Sequence, residues 1–466
     1  MITKISVDGF RSLSSFSMSL RPGLNMLVGP NGSGKTNIIL FFEFLSHIAS
    51  EPLGEAVSRC GGAGSIFQKV ALEDFRNSIS VSIEGEFSIE EENKLLFVKY
   101  VYDFTIEISD ERDSIFFRHQ RLKYYYGREK PKNNNWSMDI SCELSDEEEV
   151  RVNISRIDFR KISSIDRIYS FREVEFENRK EKVRSIEFYM ERTVDADTNI
   201  LVVSQRLHRG VNSILSDLVG GEAFNIMPSA AREAEDSATP PGIRKDGSGL
   251  AATLHALKQI DRHRALRHIS RWHSPTTFYS PAGRFPRRLA QVFTPRRNAF
   301  DRIVEFVRLV NDQILSLDVH LDHVDNKIKI VAIVKSDDRE ELNLPFSLMS
   351  DGTVKWVALI AAIFTYRSIF AIEEPENFIH PLMQKEIVQI MRGASEEKYF
   401  RSFVLMTTHS ETLLNAATPD EVLVVSMSGG VTRVNRPRNR DLLRQEISRT
   451  GFGLGHYYLT GALGDG

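Results

Sequence analysis

The run Gly29-Pro30-Asn31-Gly32-Ser33-Gly34-Lys35-Thr36 satisfies the pattern G-x-x-x-x-G-K-[ST] at every position. Its glycines let successive backbone N–H groups converge on phosphate oxygens. Lys35 can reach the outer phosphates of a nucleoside triphosphate, and the Thr36 hydroxyl is a hard oxygen ligand of the kind Mg²⁺ takes. Far downstream, Glu373 and Glu374 stand side by side at the end of an apolar run. Glu373 suits a place in the shell of the metal, and Glu374 can accept the proton of an attacking water. Successive residues of a strand point to opposite faces, which predicts Glu373 toward the metal and Glu374 toward the terminal phosphate. His409, within Thr407-Thr408-His409-Ser410, is placed to sense or polarise that phosphate. Glu376 reads as structural.

These residues need elements that hold them. Leu24 to Val28 reads as a buried strand running into the glycine loop, and Asn37 to Ser50 has the apolar spacing of a helix. A strand before and a helix after give the loop a positive helix end facing the anion. Arg367 to Ile372, Phe403 to Met406 and Val422 to Val425 read as short strands, the first two ending in a polar motif. Trp356 to Phe364 reads as a buried core helix. Strands alternating with helices over 354–425 argue for a sheet covered by helices. Nearer the start, Ile2 to Val7 alternates as a half-buried strand, Phe10 to Leu20 can return as another, and Ile79 to Ile108 is strand-like and continued by Leu122 to Tyr126.

Length and composition bound the class. At 466 residues the chain is expected to form two or three structural units. Hydrophobic residues at 41% support a large core. A net charge of -3 does not advertise a nucleic-acid binder, though a local basic face is compatible with it. Two cysteines, Cys60 and Cys142, make no disulfide framework and no zinc pair, which fits a reducing cytosol. The start MITKISVDGFRSL has no apolar run after a basic stretch, so no signal peptide is expected. No apolar run is long enough to span a membrane.

The motifs together resemble the ABC-type ATPase heads of the SMC, RecF and OLD group. The likeness is nearest to the stand-alone OLD-like ATPases of anti-phage defence systems such as PARIS or Septu. VDGFRSL with GPNGSGKTN is similar to the family's opening. Ser350-Asp351-Gly352-Thr353 resembles its signature motif, written here M-S-D-G-T, not L-S-G-G-Q. IEEPENFIHP resembles the Walker B and D-loop segment, and TTHS the H-loop. The resemblance implies an α/β fold: a P-loop NTPase of ABC-ATPase type, a mixed sheet flanked by helices, with an N-terminal β-rich lobe and a helical insertion. It implies ATP and Mg²⁺, with Lys35, Glu374 and His409 in hydrolysis. Arg11, Asn31, Gly32, Ser33, Gly34, Lys35, Thr36, Asn37 and Gln68 are its nucleotide contacts. Thr36 and Glu373 are its metal ligands, although Glu373 stands where many relatives carry Asp. Gln205 competes with Gln68 for the Q-loop role. Ser350, Asp351 and Gly352 would touch the nucleotide of an opposing subunit, and Asn377 and His380 lie where the family crosses its dimer interface.

That composite site makes ATP the glue of a head dimer and hydrolysis its release, which suits a switch or clamp. The likeness thus implies a homo-oligomer built from ATP-sandwiched head dimers, with a separate effector and a phage protein as trigger. The glycine-aromatic ending from Gly451 to Tyr458 resembles the tails of the stand-alone ATPases and is expected to leave no room for a Toprim nuclease of the OLD type, so any nuclease is expected on another protein. The alternative is a RecF-like ATPase of DNA repair or replication.

The expected organisation is 1–150 for the first part of the head with its β lobe, 151–275 for a mainly helical insertion, and 276–466 for the rest of the head. Heptads are absent, so the insertion is compact. Helix is expected around 165–220, with Ile186, Tyr189 and Met190 on one face, and again over Leu250 to Ile269 and Phe300 to Leu317. Thr276 to Ser280 and Ile328 to Val334 are strand candidates. Asn225 to Gly249, rich in Ala, Ser, Pro and Gly, reads as a flexible or surface segment. Arg284, Arg287, Arg288, Arg296 and Arg297 cluster around Phe285 and Phe293, with Arg264, Arg267 and Arg271 nearby. DNA phosphates, an acidic partner or plain solvation are all compatible with that cluster.

Overall fold

Alternating side chains over Ile2–Asp8 (β1) bury Ile2, Ile5 and Val7. Phe16–Ser19 (β2) alternates buried and exposed residues and pairs antiparallel with β1. The computed structural model describes residues 1–70, 74–91, 94–109, 114–127, 136–144, 150–157, 186–187, 196–204, 209–219, 223–269, 298–335, 340–365, 371–396 and 403–463. The described residues form two compact units. The first holds 1–221, 398–403 and 423–437, and the second holds 222–397, 404–422 and 438–466.

In the first unit, Gly23–Val28 (β3) is buried from Leu24 onward and leads to Lys35–Ile48 (α1). Ile38, Phe41, Phe42, Leu45 and Ile48 give α1 its apolar stripe. Phe41 meets Phe10 edge-on at 5.4 Å, and Phe42 meets Phe403 at 5.5 Å. Short helices follow at Leu53–Arg59 (α2) and Ala63–Ile66 (α3). The chain then builds a meander: Ser78–Glu91 (β4), Lys94–Ser109 (β5), Ser114–Gly127 (β6), Met138–Leu144 (β7), Val150–Ile157 (β8) and Ile186–Glu187 (β9). With β1 and β2 it makes one antiparallel sheet in the order β2-β1-β4-β5-β6-β7-β8-β9. Tyr100, Tyr102, Phe104 and Tyr124 fill its buried face. The Tyr102 hydroxyl, deep in that face, is satisfied by Gln120 at 2.9 Å and Asn199 at 3.1 Å. Ile200–Ser204 (α4) and Arg209–Val219 (α5) complete this stretch.

The β lobe therefore matches expectation and runs further, because Val150–Ile157 pairs with β7 over its whole length. Ile186, expected on a helix, lies in β9 beside Ile154. The spacing that suggested a helix rests partly on Tyr189 and Met190, which lie outside the described residues.

In the second unit, Ala223–Phe224 (β10), Pro228–Ala231 (α6) and Glu235–Asp236 (β11) precede Leu250–Ile269 (α7), whose bounds match the sequence expectation. Residues 225–249 were read as flexible or surface, yet Ile226, Ala231 and Ile243 are buried there. Asn225 and Met227 donate to the carbonyls of Lys245 and Asp246, each at 2.8 Å. The Glu235 carboxylate accepts the N–H groups of Gly249 and of Ala252, capping α7. The turn residues of this stretch thus serve conformation.

Ala299–Val310 (α8) buries Phe300, Ile303 and Val307 on one face. It ends at Asn311, whose side chain accepts from the Gln313 N–H at 3.1 Å, and Ile314–Asp322 (β12) begins. The expected helix from Phe300 to Leu317 is thus too long, because the polar turn at Asn311-Asp312-Gln313 and the alternation after it favour a strand. Lys327–Lys335 (β13) and Glu341–Pro345 (β14) join β11 and β12 in a small antiparallel sheet. Asp351–Thr365 (α9) is buried from Val354 through Thr365, as its apolar run predicts.

Ala371–Glu373 (β15), Pro381–Glu396 (α10), Phe403–Thr408 (β16) and Glu411–Ala416 (α11) follow. Strands β10, β15 and β16 run parallel in that order. Val422–Ser428 (β17) and Val431–Asn435 (β18) belong almost wholly to the first unit, where the order is β3-β17-β18. Arg440–Thr450 (α12) and Leu454–Leu459 (α13) close the described chain. Among the described residues no helix is long and apolar enough to cross a membrane. Thr276 to Ser280 and the arginines from Arg284 to Arg297 lie outside the described residues.

Candidate active site

Gly34 takes φ 98 at the N-terminus of α1, a region that side-chain-bearing residues rarely occupy. A Cβ there would also meet the Thr432 hydroxyl at 2.0 Å, so β18 backs directly onto the loop. No side chain caps α1, which leaves its first N–H groups open at the positive end of a 14-residue helix. Lys35 is buried and its ammonium folds back over the loop, donating to Gly29 O at 2.7 Å and Pro30 O at 3.0 Å. The Ser33 hydroxyl is buried without a hydrogen-bond partner among the described residues. Asn31, Gly32 and Thr36 are exposed on the rim. An orphaned hydroxyl, an ammonium and open helix N–H groups together fit a bound phosphate.

Beside this loop, Arg11 sits in a left-handed turn at φ 48 and donates its Nε to Ser65 O at 2.5 Å. Its Nη1 lies 3.3 Å from Asn37 Oδ1. Asn37 in turn donates to the Ser12 hydroxyl at 2.7 Å, and that hydroxyl is 2.6 Å from Thr432 Oγ1. Asn37 is therefore engaged in positioning Arg11 and Ser12. Burial pulls the Arg11 guanidinium below its ordinary value. Gln68 is half-buried, with its N–H on Gly9 O at 2.8 Å, at the end of the short segment that also meets Arg11. Gln205 lies outside the described residues.

The carboxylates belong to the second unit. Glu373 ends β15, opposite Thr407 of β16, and is half-buried. Glu374 has already left the strand: its φ is 42. The sequence reading took its direction from strand alternation, whereas a left-handed turn sets it. Its N–H donates to Thr407 O and Thr407 Oγ1, each at 3.1 Å. Its carboxylate accepts from Asn377 Nδ2 at 2.9 Å and lies 3.8 Å from His409 Nε2. Glu374 and His409, singled out separately, are thus neighbours at a water-accessible spot. Glu376 Oε1 accepts the Thr408 hydroxyl at 2.8 Å and the His409 N–H at 2.7 Å. That is a structural use, as expected of it.

Ser350 bonds Thr353 through its hydroxyl at 2.9 Å, at the start of α9. Asp351 pairs with Arg232, which also reaches Met349 O at 3.4 Å. Gly352 has no room for a side chain: a Cβ would meet Phe378 O at 2.6 Å. Ser350, Asp351, Asn377, Phe378 and His380 are exposed.

Sequence reasoning missed Ser12, Thr432, Arg232, Thr407 and Lys355. Lys355 is 2% exposed, donates to the Glu374 carbonyl at 3.0 Å and lies 5.8 Å over the Phe378 ring. Burial pulls its ammonium down to about 8, against the opposing pull of Glu376 and Glu374. A lone lysine between Val354 and Trp356 was a legible signal. Ser12 and Thr407 stand inside the VDGFRSL and TTHS motifs but were given no role of their own, while Arg232 and Thr432 had no signal, since each acts through a partner distant in sequence.

The exposed Thr36 hydroxyl of the first unit and the half-buried Glu373 carboxylate of the second are each hard oxygen donors of the type that fits Mg²⁺.

A family model described as "AAA domain, putative AbiEii toxin, Type IV TA system" matches residues 24–415. A DNA replication and repair protein RecF from Erwinia tasmaniensis is 41% identical over 46 residues, 10% of this chain and 13% of that protein. RecF from Nocardioides sp. is 26% identical over 80 residues, 17% of this chain and 19% of that one. The chain thus spans less than a fifth of the length of these relatives. An SMC head bound to the C-winged helix domain of ScpA aligns with TM-score 0.47 and 12% identity over 93% of this chain and 97% of that one. The SMC head domain from Thermotoga maritima aligns with TM-score 0.36 and 12% identity over 93% and 98%. The family match covers most of the chain and contains the glycine loop, both acids and the histidine, so this protein belongs to that AAA-domain family of P-loop ATPases.

Proposed function

We propose that the chain hydrolyses ATP to ADP and phosphate and uses the nucleotide as a switch controlling a separate effector, a nuclease, in anti-phage defence. The observation that carries the hydrolytic part is Glu374, held in a left-handed turn with its carboxylate beside His409. Residues Gly29 to Thr36 bind the phosphates, Lys35 neutralises the outer ones, and Arg11 approaches the nucleotide. Thr36 and Glu373 would hold Mg²⁺ through their oxygens, and its charge would offset that of the phosphates. Glu374 takes a proton from the attacking water, whose oxygen forms a bond to the terminal phosphorus as the bond to the ADP oxygen breaks. His409 orients or polarises the terminal phosphate.

The switch part rests on Ser350, Asp351 and Gly352. Ser350 and Asp351 are exposed at the start of α9, where a second copy's nucleotide can reach them. Two copies then enclose ATP, and hydrolysis releases them. The effector, a Toprim or other nuclease, and a phage protein as trigger belong to this reading through the family resemblance. The test is the solution mass of Glu374→Gln with and without Mg-ATP, alone and with the product of the neighbouring gene. An ATP-dependent doubling or co-complex supports the switch; an unchanged monomer at saturating ATP overturns it.

A second reading, a RecF-like ATPase acting on DNA, is favoured by the local identity to RecF proteins. It requires ATP-dependent DNA binding that is lost when Arg287, Arg288, Arg296 and Arg297 are neutralised. Absence of DNA binding and of DNA-stimulated hydrolysis removes it.

A further inference from the structure

Glu374 occupies a backbone region that residues with a Cβ rarely visit, and such conformations persist only where the surroundings over-determine them. The surroundings are specific. On one side Thr407 receives the Glu374 N–H twice, through its carbonyl and its hydroxyl, each at 3.1 Å. On the other side the Glu374 carbonyl accepts the Asn377 N–H at 3.2 Å and the Lys355 ammonium at 3.0 Å.

Lys355 is the unusual member of this set. It is 2% exposed and lies on a helix whose neighbouring residues, Val354 and Trp356, are buried and apolar. An apolar side chain of similar length would pack there at less desolvation cost. The helix that carries Lys355 also presses its first turn onto the same segment, because a Cβ on Gly352 would meet Phe378 O at 2.6 Å. One helix therefore grips residues 374–378 at both ends.

We propose that Lys355 is a positioning residue for ATP hydrolysis, holding the Glu374 peptide in its left-handed turn so that the carboxylate faces the attacking water. The inference rests on the reading of Glu374 as general base. Lys355 acts through the Glu374 carbonyl. Because its helix starts at Ser350-Asp351-Gly352, it also ties the segment read as meeting a second copy's nucleotide to the base within its own chain.

The experiment compares Mg-ATP binding and single-turnover hydrolysis in the full chain, Lys355→Met, Lys355→Arg, Glu374→Gln and the double variant Lys355→Met/Glu374→Gln. Lys355→Met is expected to slow hydrolysis about a hundredfold, the scale of a small misplacement of a reacting group. Its Mg-ATP affinity should stay within about twofold, a separation that general damage to the fold does not produce. Lys355→Arg, which keeps a cationic donor, should recover part of the rate. The double variant should hydrolyse at the Glu374→Gln rate, since the lysine has nothing left to aim.

Wild-type hydrolysis in Lys355→Met overturns the proposal, as does a double variant slower than Glu374→Gln by the full Lys355→Met factor. Should Lys355→Met not fold, Lys355→Gln decides in the same assay: equal losses of binding and hydrolysis overturn the proposal, and loss of hydrolysis alone supports it. Wild-type hydrolysis in Glu374→Gln instead removes the underlying reading of Glu374, and the proposal with it.

Discussion

The backbone N–H of His409 donates to the Glu376 carboxylate at 2.7 Å, so an acid on the turn after β15 sets where the histidine's peptide lies after β16. The same oxygen accepts the Thr408 hydroxyl at 2.8 Å. Glu376→Ala leaves both donors unpaired in a half-buried place, at a cost of about 1–3 kcal/mol. We expect urea unfolding to show that loss and hydrolysis to fall with it. Glu376→Gln keeps an acceptor oxygen and should recover most of both.

Arg232 holds Asp351 and the Met349 carbonyl just ahead of α9. The pair is partly exposed, so its contribution to stability is small, about 1 kcal/mol or less. Arg232→Met should therefore melt close to the wild type. It should nevertheless weaken ATP-dependent self-association, because Ser350 and Asp351 lose their fixed geometry. Sedimentation of the Glu374→Gln background with Mg-ATP reads this directly. Unchanged association would show that the segment needs no outside brace.

Gly34 combines φ 98 with a site where a Cβ would meet Thr432 Oγ1 at 2.0 Å. Gly34→Ala must strain the backbone and push β18 away, at a cost of about 1–3 kcal/mol for the backbone alone. Mg-ATP binding should be lost, measured by titration with a fluorescent nucleotide. Thr432→Ser keeps the hydroxyl that Ser12 meets and should bind normally.

Glu421 supplies the pH prediction. Burial pushes its carboxyl up, but two bonds from Arg392, at 2.8 and 2.5 Å, and the Thr418 N–H at 2.7 Å outweigh that and hold it below its ordinary 4.5. A carboxyl depressed on folding binds fewer protons in the folded state. Its stabilising contribution is therefore full above its unfolded value and is lost as pH falls through the folded one. Arg392→Leu should cost about 1–2 kcal/mol at neutral pH, where it leaves a half-buried carboxylate with only its Thr418 bonds. The gap to wild type should close as pH drops below about 4.5, where that carboxylate takes up a proton. Urea denaturation across that range checks the sign.

Much of the candidate site was legible in the chain because its motifs are local. The loop Gly29 to Thr36 needs backbone freedom at fixed positions between an apolar strand and an apolar helix, and those demands are written in adjacent residues. The same holds for the buried helix behind Ser350-Asp351-Gly352 and for Glu373-Glu374 and His409 at strand ends. Periodicity likewise placed β1, β13 and the long strands of the meander. It failed where two patterns abut, as at Asn311, where a helical face passes into strand alternation. Composition spoke for residues 225–249, many of which are exposed as a surface segment would be, but it did not show that Ile226 and Ile243 are buried there.

What only the tertiary structure decided is the set of contacts that aim these groups. Ser12 meets Thr432 across 420 positions, Arg232 meets Asp351 across 119, and the Glu374 N–H reaches Thr407 across 33. The warrant for the direction of the Glu374 carboxylate was strand alternation, but the strand ends at Glu373 and Glu374 takes φ 42. Strand alternation governs a residue only while its backbone stays extended, and Glu374 sits in a left-handed turn with its N–H on Thr407 and its carbonyl on Lys355. Residue types state which chemistry a chain can do, since that resides in single side chains and short spacings. Where each group points is set by partners that only folding brings within hydrogen-bond reach.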